Sequence, residues 1–539
     1  MNRLELSADT AGRTFPRILR AQAQQAGDSI FLITDTQRIS FADADRITNS
    51  LAAGLQALGL GEGDRMALYM GNRPEMVLLA LAANKLGAIW TPINTDYRGQ
   101  WLQDALQRTD CRVLVTDNDF QQRIADIRDQ SGRAALVVLS DEDASLPHDA
   151  HTYSWLSAHA PVPLDDTAQH YGDTCAILWT SGTTGKSKGV LQSYNCWIRA
   201  IVSGASPQYD SREGDIIYCI LPLFNTAAWI TCIFRALIEG LPCVIEQKFS
   251  VSSFWERIAH FGATQTFALG AMGVFLLNAP DRPEDAATPL RVAQIVPLPP
   301  DQWPVFERRF GVRLLRSGLG QSECQMITNQ VGAPADTPVY ALGFPPDDIE
   351  IKLFDDNGQE VAPGEAGEIC IRPLQPHVLF NGYFEDPEAS AAAFRGDWYL
   401  TGDMARQDPA TGAYFFVDRK KDAIRFAGRN ISTLEVESVA RKHPAIAEVA
   451  AFGIPSEEVA SEHELKLNVV LRPGQQLAPE ALCRFINDNA PHYFVPRYLD
   501  FVDTLPYTPT GKVQKFRLRE QGVGAQTWDL RHSDFQLQR

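Results

Sequence analysis

The run "TSGTTGKSKG", Thr180–Gly189, follows "CAILW", Cys175–Trp179, an apolar stretch that reads as a buried strand. How this run is read decides the fold. Its Gly185-Lys186-Ser187 matches the end of the common phosphate-binding loop, which has the spacing G-x-x-x-x-G-K-[ST]. Counted back from Gly185, the first glycine would have to stand where Thr180 stands, so that loop is excluded. The composition still suits polyphosphate. Glycines let backbone N–H groups turn toward an anion, hydroxyls donate to phosphate oxygens, and lysines supply charge. A different phosphate loop, or a plain Ser/Gly/Thr connector, are the two readings open at this point.

At 539 residues the chain exceeds one ordinary core, so two or more domains are expected. With 45% hydrophobic and 21% charged residues it reads as globular, neither disordered nor repetitive. The longest apolar runs, "MVLLALAA" (Met76–Ala83) and "AAWITCIF" (Ala227–Phe234), fall well short of the ~20 residues of a membrane helix. They are expected as buried helices, without stable membrane insertion. The net charge of −17 argues against a nucleic-acid partner, because a phosphate backbone calls for basic surface. An anionic ligand would instead need cations gathered locally, as in the loop above and in the tail "GKVQKFRLR" (Gly511–Arg519). Nine cysteines without a C-x-x-C pair favour reduced thiols. The start "MNRLELSADTAGRT" carries no apolar secretory segment, and a cytoplasmic location is expected.

Strand and helix signals alternate over the first part of the chain, which implies parallel sheets covered by helices. "RITNSLAAGLQALGL" reads as an amphipathic helix closed by Gly61, "RMALYMG" as a strand, "PEMVLLALAANKLG" as a helix opened by proline and "AIWTPIN" as a strand. From about Gly343 the texture changes to strands with Asp-Asn-Gly and Pro-Gly turns, as in "DIEIKLFDDNGQEVAPGEAGEICIRP". "STLEVESVARKH" then reads as a capped helix. The fold class expected is α/β, with a large N-terminal domain (1–418) of parallel and mixed sheets covered by helices. A small mobile α+β C-terminal domain (419–539) follows, hinged at "DRKKD", residues 418–422.

Five segments stand in order: "TSGTTGKSKGV" (Thr180–Val190), "GQSE" (Gly320–Glu323), "YLTGD" (Tyr399–Asp403), "DRKKDAIRFAGRNIS" (Asp418–Ser432) and "PTGKVQK" (Pro509–Lys515). Each alone has a plain meaning: a connector, a helix cap, a tight turn, a solvated charge run, a surface lysine. Together they resemble the adenylate-forming superfamily, in its acyl-CoA synthetase branch, over about Arg17–Arg519.

The resemblance implies a reaction in two halves: a carboxylate attacks the α-phosphate of ATP, and the thiol of coenzyme A then displaces AMP. It also implies Mg²⁺ and a role in fatty-acid metabolism. Thr180, Ser181, Gly182, Thr183, Thr184, Gly185 and Lys188 would grip the β- and γ-phosphates, with Lys186 adding charge. Ser322 would touch phosphate, and Glu323 would help hold the metal. Asp403 would accept from the ribose hydroxyls and Arg419 would add a second contact. Lys512 would bridge the attacking carboxylate and the α-phosphate. Lys421 stands at the hinge position, and Gly428 beside the tunnel for the thiol. The acyl pocket is expected from "FNTAAW", "ALGAM" and "SGLG", with Asn225, Trp229, Ala268, Met272 and Gly318, and suits a hydrophobic or cyclic acid.

Four positions depart from the family pattern. Leu319 replaces an aromatic ring beside adenine, and "IVPLPP" (Ile295–Pro300) replaces a glycine-rich segment. Asn225 and Tyr194 replace histidines. Prolines at 297, 299 and 300 also remove backbone donors near the base. An active ligase is the expectation. The alternatives are an enzyme that only makes the thioester from supplied acyl-AMP, one that loads a separate carrier protein, a luciferase-like oxygenase, and a non-catalytic nucleotide sensor. A homodimer is left open.

Overall fold

The structure is a computed structural model. It describes residues 3–6, 10, 12–127, 134–139, 150–161, 168–180, 188–420, 424–426, 429–456, 463–490, 492–507, 513–533 and 535. By their contacts the residues form two compact units, Met1–Glu350 with Arg372–Asp397, and Ile351–Ile371 with Trp398–Arg539. The strands on either side of residue 400 therefore group with the C-terminal residues, and a hinge at 418–422 would lie inside the second unit.

The first unit is built on two seven-stranded sheets. One contains β1 (Ile30–Ile33), β2 (Arg38–Ser40), β10 (Ile217–Cys219), β11 (Cys243–Ile245), β12 (Gln265–Leu269), β13 (Val292–Val296) and β14 (Arg313–Leu314). The other contains β3 (Arg65–Tyr69), β4 (Ile89–Pro92), β5 (Val113–Asp117), β6 (Ala135–Leu139), β7 (Ala150–Thr152), β8 (Thr174–Thr180) and β9 (Lys188–Ser193). Their orders are β14-β13-β12-β10-β11-β1-β2 and β7-β6-β5-β3-β4-β8-β9. Parallel pairing dominates, and only the edge strands β2 and β9 run antiparallel to their neighbours. A short β17 (Phe394–Arg395) follows the helix Pro387–Ala392.

Local sequence explains the helices that cover these sheets. In Phe41–Ala57 the Ser40 side chain caps the N-terminus by accepting from Asp43 N. The closure expected at Gly61 falls two residues earlier, where Gly59 takes φ +81° and Leu60 turns into the core. "MVLLALAA" lies within the helix Pro74–Lys85, whose apolar residues are buried all round, as its lack of a polar face requires. Lys85 at its end is buried as well. Its ammonium is tied to Asp45 Oδ1 and Asn49 Oδ1, each at 2.6 Å, which offsets the loss of water. "AAWITCIF" is a buried helical run that widens to a π-helical turn at Trp229–Ile233. Trp90, Trp197, Trp229 and Phe234 pack together at the centre of the main core.

In the second unit β15 (Ile349–Phe354), β16 (Ala366–Pro373) and β18 (Trp398–Gln407) lie side by side, and β19 (Tyr414–Arg419) pairs with β18. The Asp-Asn-Gly turn is formed as read, with Asp355 N donating to Gln359 O at 2.8 Å. A hairpin of β20 (Ile424–Phe426) and β21 (Arg429–Ile431) follows. Next comes a four-stranded sheet of β22 (Ile446–Pro455), β23 (His463–Leu471), β24 (Tyr498–Phe501) and β25 (Trp528–Asp529), against which the helices Thr433–Arg441 and Pro479–Asn489 pack. Ser432 caps the first of these by accepting from Glu435 N, as the sequence predicts. Among the described residues no helix is long and apolar enough to cross a membrane.

Candidate active site

The pairing of β8 with β9 agrees with the exclusion of the common phosphate loop. The common phosphate loop leads from a strand into a helix, whereas this run connects two antiparallel strands. Thr180 stands opposite Lys188, and its hydroxyl donates to the Lys188 carbonyl at 3.3 Å. Ser181, Gly182, Thr183, Thr184, Gly185 and Lys186 lie outside the described residues. On its other side β9 is bonded by residues 381–384: Asn381 N donates to Leu191 O at 2.9 Å, and Phe384 N to Gly189 O at 2.7 Å. This pairing sets Tyr383 beside the loop's base. The Lys188 ammonium lies 4.5 Å from the centre of the Tyr383 ring, and the Tyr383 hydroxyl donates to Glu323 Oε1 at 2.9 Å. Two residues chosen from the sequence, Lys188 and Glu323, are thus joined through a third that no motif marked.

The Glu323 turn is fixed from below. Gln321 and Cys324 exchange backbone hydrogen bonds, at 2.9 and 3.2 Å, and Phe380 N donates to the Glu323 carbonyl at 2.9 Å. Gln192 Nε2 donates to the Ser322 carbonyl, and Gln325 Nε2 donates to Gln192 Oε1 at 2.8 Å. Gln192 is fully buried, where an amide is tolerated only if its polar atoms are satisfied. A glutamine after the apolar "GVL" is the one sequence signal that could have found it. Leu319 bridges to Thr328. At Gly318 a Cβ would stand 2.1 Å from the Thr328 carbonyl oxygen, so only glycine fits that approach.

The second group of candidates is gathered by sheet order. The adjacent parallel strands β10, β12, β13 and β14 end in "ILPLFN", "GAM", "PLPP" and "RSGLG", so segments distant in sequence meet at one carboxyl edge. Such edges are where open α/β sheets bind ligands. Asn72 pins the first segment by donating to Leu221 O and Glu246 O and accepting from Leu223 N, all at 2.8–2.9 Å. Asn225, Met272 and Gly318 are partly exposed there. Trp229 is not: its ring is fully buried and its Nε1 donates to Leu223 O at 2.6 Å, so it supports the loop from within the core. Ala268 is almost fully buried too. Tyr194 packs edge-on against Phe15 and donates to Gln169 Oε1 at 3.2 Å, which makes it a core residue.

In the second unit Asp403 and Arg419 are direct cross-strand partners on β18 and β19, with Arg419 Nε 3.2 Å from Asp403 Oδ1. Gly402 holds φ +69°, which turns the chain just before Asp403. Its N–H is bound by the buried Glu368 at 3.0 Å. Glu368 also accepts from Lys420 Nζ at 2.8 Å. Burial lowers the Lys420 pKa, but Glu368 and Asp356 outweigh it and hold the ammonium above its usual range. Glu368 was missed, although an acid inside the apolar strand "AGEICI" is a legible signal.

Lys421, Gly428 and Lys512 lie outside the described residues. The chain flanking Lys512 is anchored: Tyr507 bridges to Val513, and Gln514 N donates to Pro506 O at 2.8 Å. Lys515 Nζ donates to Thr433 Oγ1 at 2.6 Å and lies 2.8 Å from Glu437 Oε1. Thr433 in turn donates from both N and Oγ1 to Asp418 Oδ2 at 2.6 Å. Lys515, the start of the helix Thr433–Arg441 and the end of β19 are therefore one hydrogen-bonded cluster.

A family described as "AMP-binding enzyme" matches residues 19–384, and one described as "AMP-binding enzyme C-terminal domain" matches 435–512. Similar curated proteins include a crotonobetaine/carnitine–CoA ligase of Salmonella choleraesuis (strain SC-B67). It is 30% identical over 92% of this chain and 96% of that protein. The medium/long-chain-fatty-acid–CoA ligase FadD6 of Mycobacterium tuberculosis is 31% identical over 95% of this chain and 86% of that protein. Among solved structures, the anthranilate CoA ligase AuaEII in complex with anthranoyl-AMP superposes with a TM-score of 0.82. It has 24% identity and covers 94% of this chain and 97% of that one.

Proposed function

Because the chain belongs to the AMP-binding enzyme family, in both its large and its C-terminal segment, we propose how its residues divide the work of an acid–thiol ligase. The enzyme is an ATP-dependent acyl-CoA ligase that proceeds through acyl-AMP. In the first half a carboxylate oxygen of the acid bonds to the α-phosphorus while the bond from that phosphorus to pyrophosphate breaks. In the second, the coenzyme A thiol loses its proton, its sulfur bonds to the acyl carbon, and the acyl–oxygen bond to AMP breaks.

Phosphoryl chemistry of this kind rests on positioning and charge neutralisation. We assign the β- and γ-phosphates to residues 180–188, because this run is rich in hydroxyl, glycine and lysine donors and its two described ends, Thr180 and Lys188, stand opposite each other on β8 and β9. Glu323 is the metal carboxylate. Among the described residues no group of three or more His, Cys, Asp or Glu forms a metal cage. A single carboxylate with one oxygen already engaged suits a hard cation that arrives with phosphate and water ligands of its own. Mg²⁺, when bound, supplies neutralisation of the polyphosphate. Asp403 is an acceptor-only group, the type needed by two adjacent ribose hydroxyls, and Arg419 is the cation beside it. Lys512 converges on the attacking carboxylate and the α-phosphate. Lys421 is the hinge that lets the second half proceed, and Gly428 leaves room for the thiol.

The acid is a hydrophobic one. Phe267, Leu269 and Met272 are partly buried apolar side chains near the ends of the strands that carry the candidate acyl segments. The nine free cysteines, eight of them buried, support a reducing cytoplasmic setting. The observation that carries the assignment is the Lys188–Tyr383–Glu323 contact, which brings two charge-bearing motifs 135 positions apart (323 − 188) to one place. The test is to supply a panel of carboxylic acids with ATP, Mg²⁺ and coenzyme A, and in parallel synthetic acyl-AMPs with coenzyme A alone. AMP, pyrophosphate and thioester formed from a medium-chain or aromatic acid are expected. Thioester from acyl-AMP only would restrict the enzyme to the second half-reaction, and no product in either arm would remove the assignment.

A further inference from the structure

We infer that Tyr383 is a positioning residue for the first half-reaction, one side chain that sets both the phosphate-side lysine and the metal-side glutamate. It rests on the roles given above to Lys188 and Glu323. Tyr383 is about nine-tenths buried and its place is over-determined. Its backbone bridges to Val190 on β9, its N–H donates to Ser390 Oγ at 2.8 Å, and its ring lies 4.9 Å from that of Phe380. Two groups extend from this fixed ring. The face meets the Lys188 ammonium at 4.5 Å, a cation–π contact that restrains a flexible four-carbon stem. The hydroxyl donates to Glu323 Oε1 at 2.9 Å, which selects one rotamer of the carboxylate and occupies one of its oxygens.

The arrangement has a chemical consequence. A lysine brought this near a glutamate-bearing turn would, with nothing between them, tend to pair with it directly and quench both charges, since opposite charges at close range attract. With the tyrosine between them, each is held by a neutral partner. The ammonium stays available to phosphate oxygens and the carboxylate to a cation. Tyr383 touches no reacting atom itself; it acts through the other two.

Two variants separate its two contacts. Tyr383→Phe keeps the ring beneath Lys188 and removes the hydroxyl from Glu323. Tyr383→Leu removes both. Tyr383→Phe is expected to raise the apparent Mg²⁺ requirement and lower adenylation about tenfold, the scale of one hydrogen bond to a charged group. Its KM for the acid should not change. Tyr383→Leu should add a further loss of roughly two- to fivefold, expressed as a higher KM for ATP. Thioester formation from supplied acyl-AMP, which involves no triphosphate, should proceed at the wild-type rate in both. A purely structural role would instead lower both half-reactions together, with the thermal midpoint, and that result overturns the inference. So does wild-type Mg²⁺ dependence in Tyr383→Phe. Glu323→Gln serves as the control. If it moves the Mg²⁺ dependence while Tyr383→Phe does not, only the role of Tyr383 is lost; if it too leaves Mg²⁺ dependence unmoved, the reading of Glu323 falls and this inference with it.

Discussion

The role proposed for Lys512 shows what one residue would be asked to do. A permanent ammonium between two converging anions favours their transition state far more than either ground state. Lys512→Ala is expected to lower adenylation by about 10²–10³-fold. Thioester formation from acyl-AMP should fall far less; equal losses in paired assays of the two steps would count against the assignment. Asp418 makes a prediction of another kind. Burial raises its pKa, while the Thr433 hydrogen bonds and the nearby Lys515 pull it back only in part. A carboxyl with a folded pKa above its unfolded one stabilises the fold most while protonated, and that contribution is lost as pH rises through the folded value. The advantage of wild type over Asp418→Asn in thermal midpoint should therefore shrink as pH climbs from about 4 toward neutrality. A difference independent of pH would show that the carboxyl titrates normally.

At the scale of elements, the site depends on how strands end. The 180–189 run is legible as rich in phosphate-binding groups from its composition, but its place between antiparallel strands is set by the pairing of β8 with β9. The "GQSE" turn is legible as well, yet the amides that hold it come from β9 and from Gln325. Gln192→Leu keeps the volume and leaves the Ser322 carbonyl and the Gln325 amide without this partner. It should destabilise the protein by about 1–3 kcal/mol, the cost of orphaned buried polar groups. It should also raise the KM for MgATP, because the Glu323 turn loosens. An unchanged melting curve and an unchanged KM would mean that backbone bonds alone fix the turn. Trp229 illustrates the reverse case. A large aromatic in an acyl-pocket motif reads as lining, but within the π-helical turn its ring is fully buried in the core, while Asn225, Met272 and Gly318 are partly exposed.

At the scale of the whole molecule, one enzyme must present different groups to two successive reactions, so part of it is expected to move about Lys421. Proline there would fix φ near −65° and remove a donor. Lys421→Pro is expected to leave acyl-AMP formation within a fewfold of wild type, by about the scatter of a surface change, and to suppress thioester release. Pyrophosphate release followed separately from thioester formation measures both; loss of adenylation alone would place the hinge elsewhere. By itself the sequence determined the α/β class, the order of the motifs and the chemistry of their side chains, because periodicity, turn residues and charge are local properties of the chain. Tertiary structure decided which groups share a site. Tyr383, Gln192 and Glu368 carry no motif, and Trp229 carries a misleading one. Their roles follow from strand pairing and burial between residues far apart in sequence, which no local pattern encodes.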